Sequence, residues 1–177
     1  MTVDDGGSAQ RVNSGEEARG MEALQRFQEL CIAGSERELT EEEVTEINGF
    51  TAAFPALDRT LGVRYQAIAP ERLELRLEIS NDHIQPWGIT NGGVYAALGE
   101  NAGSMASYMA AGAGPAVMGT SNETHFLRPT TPGDVVVSVA TPEHVGRSSH
   151  LWRIEHINEA TGKRCALTFL KTHVARG

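Results

Sequence analysis

A stretch of forty residues with a single charged side chain sets the strongest constraint on this fold. Between Asp82 and Glu123 the only Asp, Glu, Lys or Arg is Glu100. Residues 94–111 are small or apolar on every side, which predicts a helix buried all round rather than an amphipathic surface helix. A carboxylate in such a helix is costly unless it is paired or hydrogen-bonded, and no cation is near in sequence. Glu100 is therefore a candidate catalytic group.

Two glycines precede this helix and mark its start as a binding position. Gly92 and Gly93 follow the turn-rich residues 86–88, and glycine lets a ligand approach the bare amides at a helix N-terminus. Gly92 and Glu100 are separated by ~12 Å along one helix, so one small reacting group cannot touch both. If both act on the same carbonyl, they come from two copies of the helix, paired antiparallel across a dimer two-fold axis.

These residues resemble a known family. Residues 85–107 are similar to the central helix of hotdog-fold acyl-CoA thioesterases, whose signature is an amide residue, a loop, His-Gly-Gly and an acid eight residues after the first Gly. Residues 123–134 resemble the strand and turn that follow this helix in the phenylacetyl-CoA thioesterase (PaaI-type) branch. The resemblance extends over residues 61–174.

The resemblance implies roles for individual residues. Gln85, Gly92 and Glu100 match the Gln, Gly and Glu of 4-hydroxybenzoyl-CoA thioesterases that use Glu, and Ser104 matches the position of a Thr in that type. Asn91 replaces the His of the signature, which leaves the expected oxyanion donor and acid in place.

The rest of the chain predicts an α+β order. Two capping-box sequences each precede an apolar set at helical spacing, within residues 15–57. Residues 72–80 alternate strictly between apolar and polar, as in a half-buried antiparallel strand, and residues 61–68 are its expected partner. Four more strands are predicted after the helix, at 116–127, 134–141, 148–157 and 164–174.

One sheet curled around one helix is the hotdog arrangement that the resemblance implies. We therefore expect a disordered tail over residues 1–14, a helical N-terminal extension over 15–57 that covers the domain, and a hotdog thioesterase domain over 58–177.

The expected reaction is hydrolysis of a medium-chain or aromatic acyl-CoA, without a cofactor. The Gly92 N–H would stabilise the oxyanion, and Glu100 would activate water or attack the carbonyl itself. Gln85 would orient the thioester or the water, and Ser104 would hydrogen-bond the carboxylate. The remaining expected substrate-binding residues are Asn91, Gly93, Trp87 and Met118, with Arg128, Arg147 and Ser148 near the CoA phosphates.

Three alternatives stay open at this stage. Glu100 is a structural carboxylate in one of them. In the second, the same fold hydrates or dehydrates an acyl thioester, a reaction that pairs a catalytic His with the acid. In the third, the chain is a non-catalytic acyl-CoA sensor, whose usual companion is a basic DNA-binding helix pair.

Composition limits the partners and the compartment. The net charge of −8 lies in residues 1–60, with 13 acids and 5 bases, while residues 61–177 have 10 of each. This gives no reason to expect nucleic acid or an anionic membrane as a partner. Two cysteines and the lack of a signal-peptide pattern favour a reducing, cytoplasmic location. His150 and His156 share a strand face without a completing cluster, so no metal is expected. A homodimer or homotetramer with interface active sites is the expected assembly.

Overall fold

The computed structural model describes residues 14–54 and 56–175, with side chains from residue 20 onward. The predicted tail therefore lies outside the described residues, except for its last residue, Ser14. Three helices come first: α1 (Ser14–Glu36), α2 (Glu41–Ala53) and α3 (Leu57–Leu61). The first two confirm the predicted helices, whereas the sequence analysis missed α3.

The start of α2 carries the predicted capping box. The Thr40 hydroxyl accepts a hydrogen bond from the Glu43 N–H, and the Glu43 carboxylate accepts one from the Thr40 N–H at 2.9 Å. Arg37 donates to the same carboxylate and, by this contact, lowers the pKa of Glu43 to about 2. These bonds satisfy amides that have no partner within a helix, which fixes where α2 begins.

The extension packs on the rest of the chain as a cover. Leu30 and Cys31 of α1 and Val44 and Ile47 of α2 are buried in the same core as the sheet and the central helix. Asn48 fastens α2 to the first strand, because its side chain donates to the Tyr65 carbonyl at 2.8 Å and accepts from the Tyr65 N–H at 2.7 Å.

In the described part of the chain, six antiparallel strands form one sheet in the order β1-β2-β4-β5-β6-β3. The strands are β1 (Arg64–Ala69), β2 (Arg72–Glu78), β3 (Ala116–Phe126), β4 (Val135–Val145), β5 (Ser149–Asn158) and β6 (Arg164–Ala175). Alternation decides which face is buried: Leu73, Leu75 and Leu77 of β2 point into the core, and its charged residues point away.

The central helix α4 (Gly92–Ala110) follows a short 3₁₀ turn (Asn81–His83) and lies against the sheet. Two of its glycines allow a close approach to β6. A Cβ on Gly99 would lie 2.6 Å from Thr168, and one on Gly103 would lie 2.5 Å from Leu170. Side chains at these two positions would push the helix off the sheet.

Four expectations are wrong in detail. The helix over residues 94–111 is not buried all round, because Ala97 and Glu100 are half-buried and Ala110 is exposed. The first strand begins at residue 64, since α3 occupies the residues before it. The strand predicted at 134–141 is longer, because β4 continues past a bulge to Val145. The alternation of His125 and Phe126 predicts a central strand, but their strand, β3, forms one edge of the sheet within the described residues.

Candidate active site

A closed loop leads into α4 and brings Gln85 to the start of the helix. The Gln85 N–H donates to the Ile89 carbonyl at 2.9 Å, and the Gln85 carbonyl accepts from the Gly88 N–H at 2.9 Å. Gly88 has a φ of 79°, which favours glycine in this turn. The loop tip carries Trp87 into solvent, with 81% of its surface exposed. Trp87 therefore does not line a pocket within one chain.

Asn91 is the N-cap of α4. Its side-chain oxygen accepts a hydrogen bond from the Gly93 N–H at 2.8 Å. Asparagine is among the best residues for this position. The residue that departs from the family signature thus holds the helix start in place.

The Gly92 N–H is left free at this helix start. Within the part of the chain that the structure describes, it donates to no acceptor. The Phe126 ring, at the end of β3, lies over the Gly92 Cα, and a Cβ there would be 2.6 Å from the ring. Glycine permits this close packing, and an unpaired N–H at a helix N-terminus is suited to bind a negatively charged oxygen.

A pocket of about 380 Å³ opens beside Gly92. Its wall combines apolar and aromatic surface with few polar groups, as expected of a small-molecule site. The lining residues are Gln85, Ile89, Thr90, Gly92, Tyr95, Phe126, Leu127, Arg128 and Pro129. Three of the predicted site residues, Gln85, Gly92 and Arg128, therefore share one pocket.

Hydroxyl groups that the sequence analysis missed fix the floor of this pocket. Thr130 is 2.7 Å from both the Tyr95 and the Thr90 hydroxyls, and its carbonyl accepts from the Thr90 N–H at 2.9 Å. Burial raises the pKa of Tyr95 to about 12, so its hydroxyl stays neutral. The Pro129-Thr130-Thr131-Pro132 sequence suggested only a turn, and only the fold shows that Thr130 returns to the helix start.

Glu100 lies further along α4, outside this pocket, and packs over the beginning of β3. Its Oε1 accepts a hydrogen bond from the Ser104 hydroxyl at 3.2 Å, the contact that the sequence predicts. Its Oε2 is 3.4 Å from the Asn122 side-chain nitrogen, a donor that the sequence analysis missed. A Cβ on Gly119 would lie 2.2 Å from the carboxylate, so a strand glycine makes room for the acid.

The remaining predicted binding residues lie at the opposite end of the sheet from Arg128. Met118 is at the start of β3, with half of its surface exposed. Arg147 and Ser148 form the turn between β4 and β5, and the Ser148 carbonyl accepts from the Val174 N–H at 3.0 Å. Arg128 instead follows the end of β3, where its guanidinium donates to the Arg164 carbonyl at 2.7 Å. One chain alone therefore does not bring these residues to a single ligand.

The buried histidines of β5 have hydroxyl partners. His150 Nδ1 lies 3.2 Å from the Ser107 hydroxyl, and His156 lies between Ser138 and Thr168. Among the described residues no group of three His, Cys, Asp or Glu side chains is arranged to hold a metal ion. Likewise, no helix in residues 14–54 or 56–175 is long and apolar enough to span a membrane.

Comparison with known proteins gives the class of this molecule. The sequence profile of the thioesterase superfamily matches residues 88–165. The proofreading thioesterase EntH of Cronobacter turicensis is 36% identical over 114 residues, which are 64% of this chain and 82% of EntH. A solved thioesterase structure from Haemophilus influenzae superposes with a TM-score of 0.69 at 28% identity, covering 75% of this chain and 90% of that one.

A third comparison concerns the fold alone. The PaaI protein from the phenylacetic acid degradation operon of E. coli superposes with a TM-score of 0.64 at 21% identity, covering 73% of this chain and 92% of that one. Together these structures confirm the hotdog fold, an α+β sheet around a central helix.

A hotdog-fold hydrolase of thioesters is therefore the class that the fold and the relatives define. More particularly, the chain belongs to the thioesterase superfamily. The prediction that it is an enzyme of this type is confirmed.

Proposed function

We propose that this thioesterase hydrolyses a medium-chain or aromatic acyl-CoA to the free acid and CoA, without a cofactor. The observation that carries the proposal is the free Gly92 N–H at a helix N-terminus, in the wall of a pocket rich in apolar surface. Tyr95, Phe126 and Leu127 supply apolar and aromatic contacts for an acyl group. The buried free thiols of Cys31 and Cys165 fit the cytoplasmic location that is part of this proposal.

The active site in this proposal is built from two chains. Gly92 packs against Phe126, near the end of β3, whereas Glu100 packs against Gly119, near its start. Strand β3 is a sheet edge of 11 residues, and such an edge is a template for pairing with another chain. If two β3 strands pair antiparallel about a point between residues 122 and 123, Gly119 of one chain lies opposite Phe126 of the other. Glu100 of one chain then approaches Gly92 of its partner.

The same pairing gathers the other predicted binding residues. The start of one β3 lies beside the end of the other, so Met118, Arg147 and Ser148 of one chain approach the Arg128 end of its partner. Arginine guanidinium groups at that end suit the CoA phosphates. The homodimer is thus the smallest assembly that completes the proposed site, and a homotetramer would be a dimer of such dimers.

In the proposed reaction the Gly92 N–H donates to the thioester oxygen as negative charge develops on it. Gln85 orients the thioester or the water from the same pocket, and the exposed residues Asn91 and Gly93 flank Gly92 at the helix start. With Glu100 as general base, water attacks the carbonyl carbon and gives its proton to the carboxylate; the C–S bond then breaks and the CoA thiolate takes up a proton. With Glu100 as nucleophile, its carboxylate oxygen attacks the carbonyl carbon and the C–S bond breaks, so that the CoA thiolate leaves and takes up a proton; water then hydrolyses the mixed anhydride to the free acid and the regenerated carboxylate.

The test is thiol release from a panel of aliphatic and aromatic acyl-CoAs. We expect the wild-type protein to turn over at least one medium-chain or aromatic member, and Glu100→Gln to lose this activity while remaining folded. Glu143→Gln, at an exposed position on β4, is the matched control. Full activity of Glu100→Gln, or no turnover of any acyl-CoA by the wild type, would contradict the proposal.

The two roles of Glu100 are separated by a single turnover in H₂¹⁸O. A nucleophilic carboxylate carries ¹⁸O after hydrolysis of the anhydride at its own carbonyl, whereas a general base never does. Mass spectrometry of the peptide that contains Glu100 reads the difference.

A further inference from the structure

A continuous row of hydrogen bonds joins Glu100 to the buried side of the sheet. It begins at the Asn122 amide and crosses three strands, β6, β5 and β4. The bonds are Asn122 Oδ1 to Thr124 Oγ1 at 2.8 Å, Thr124 Oγ1 to Thr168 Oγ1 at 2.8 Å, Thr168 Oγ1 to His156 Nε2 at 3.0 Å and His156 Nδ1 to Ser138 Oγ at 2.8 Å.

The Asn122 amide fixes the direction of the whole row. Its nitrogen lies 3.0 Å from the Ala96 carbonyl and 3.4 Å from Glu100 Oε2, so its two hydrogens both have acceptors. Its oxygen must then accept from Thr124. Since a hydroxyl has one hydrogen, Thr124 must in turn accept from Thr168.

The same count of available hydrogens applies to the next groups of the row, which lie in the core. The Thr168 hydroxyl donates its single hydrogen to Thr124, so it must accept from His156 Nε2–H. The Nδ1 of His156 is then unprotonated and accepts from the Ser138 hydroxyl. All five donors therefore point the same way, with the positive end of the row at Glu100. Such aligned neutral donors strengthen one another and stabilise an ionised carboxylate.

The surroundings keep His156 in the neutral form that this row requires. The ring is fully buried, with Tyr95 packed edge-on at 5.6 Å and the Cys165 thiol donating to the His156 carbonyl at 3.1 Å. Burial lowers the pKa of His156 to about 3, and it raises the pKa of the Tyr95 hydroxyl and of the Cys165 thiol. None of the three is charged near neutral pH.

We propose that Asn122 is a positioning residue for Glu100, and that the row of hydrogen bonds from Ser138 through His156, Thr168 and Thr124 holds its amide with the nitrogen toward the carboxylate. The inference rests on the proposed function, in which Glu100 is the acid. Without the row the Asn122 oxygen loses its donor, so the amide is held only through its nitrogen and its orientation toward the carboxylate is less firmly fixed. Gly99 supports the row of hydrogen bonds, because the absence of a side chain there leaves space for Thr168 against α4.

The experiment measures kcat and KM for the best acyl-CoA substrate in variants along the row. Asn122→Ala removes the donor, and Thr124→Val cuts the row while leaving Asn122 in place. We expect kcat to fall about tenfold in each, a barrier increase of ~1.4 kcal/mol, with KM within about twofold because neither side chain lines the pocket. Thr124→Ser keeps the hydroxyl and should restore wild-type kcat.

Thr120→Val is the matched control, since the Thr120 hydroxyl on the same strand donates to the Lys171 carbonyl instead. Circular dichroism and sedimentation check that each variant folds and assembles as the wild type does. If Thr124→Val keeps the wild-type kcat while Glu100→Gln loses activity, the row of hydrogen bonds does not position Glu100. That result would refute this inference but not the proposed function.

A second readout does not depend on activity. The ¹⁵N chemical shifts of the His156 ring at neutral pH distinguish its tautomers, and the row requires a proton on Nε2 and none on Nδ1. A proton on Nδ1 would reverse the donor direction and refute the proposal, even if no acyl-CoA proves to be a substrate.

Discussion

Gly119→Ala gives a sharp test of how Glu100 is held. The added Cβ would lie 2.2 Å from Glu100 Oε1 and 3.0 Å from Oε2, so the carboxylate must retreat by ~1 Å to reach ordinary contact distance. Its bonds to Ser104 and Asn122, at 3.2 and 3.4 Å, are already long and would break. A displacement of this size costs roughly 100-fold in rate.

The fold should tolerate this change. The backbone of Gly119 does not have a positive φ, so alanine fits it, and the group that must move is the end of a flexible side chain. We therefore expect a melting temperature close to the wild-type value together with a kcat reduced about 100-fold.

Acyl-CoA turnover by thiol release, with the melting temperature measured in parallel, is the assay. Gly49→Ala is the control, because a Cβ there meets nothing within 4 Å. If Gly119→Ala keeps kcat within about threefold of wild type, the position of Glu100 under β3 has no part in catalysis, and the reasoning is refuted.

Three further predictions concern stability, each measured by urea unfolding. Asn91→Ala should lower the free energy of unfolding by ~1 kcal/mol through loss of the α4 cap, whereas Asn91→Gly should cost a few tenths; equal losses would contradict the capping role. Gly99→Ala should cost ~1–3 kcal/mol, because its Cβ would lie 2.6 to 2.8 Å from the buried Thr168; an unchanged stability would disprove this packing. The unfolded chain gains a proton at His156 below pH ~6.5, whereas the folded chain gains it only near pH 3. The free energy of unfolding should therefore decrease as the pH is lowered between these two values, by up to roughly 1 kcal/mol per pH unit. The slope should persist in His173→Gln, an exposed position, and a flat profile from pH 7 to 5 would refute it.

Local patterns were enough to predict the elements of the fold. Strict alternation over residues 72–80 predicted β2, and the Thr40 capping box predicted the start of α2. The isolation of Glu100 in an uncharged stretch marked the central helix. The five-residue helix α3 was missed because so short a segment carries no full apolar period.

Most of the site depended on contacts between strands that are distant in sequence. Gly92 was predicted from the paired glycines at the helix start, whereas Gln85 and Ser104 came from the family resemblance, and Ser104 lies one turn from Glu100. Asn122 was missed because its amide meets Glu100 only after β3 folds back across α4. Gly119 did offer a signal, since an isolated glycine within a strand indicates a close approach of another group.

The edge position of β3 also could not be predicted from the sequence. Strand order comes from long-range pairing, which the local sequence of a strand does not determine. In the proposed two-chain site this position is essential, because it leaves β3 open to a second copy of the chain.

The most direct test of the two-chain site mixes two inactive variants. Gly92→Pro removes the proposed oxyanion donor; proline suits the backbone of the first helical position after the extended Asn91, and since its ring would displace Phe126, circular dichroism must show that the variant folds as the wild type does. Glu100→Gln removes the acid. After full subunit exchange at equal amounts, one site in four combines an intact Gly92 with an intact partner Glu100, so about a quarter of wild-type activity should return. No recovery, in a mixture with proven exchange, would contradict a site shared between two chains.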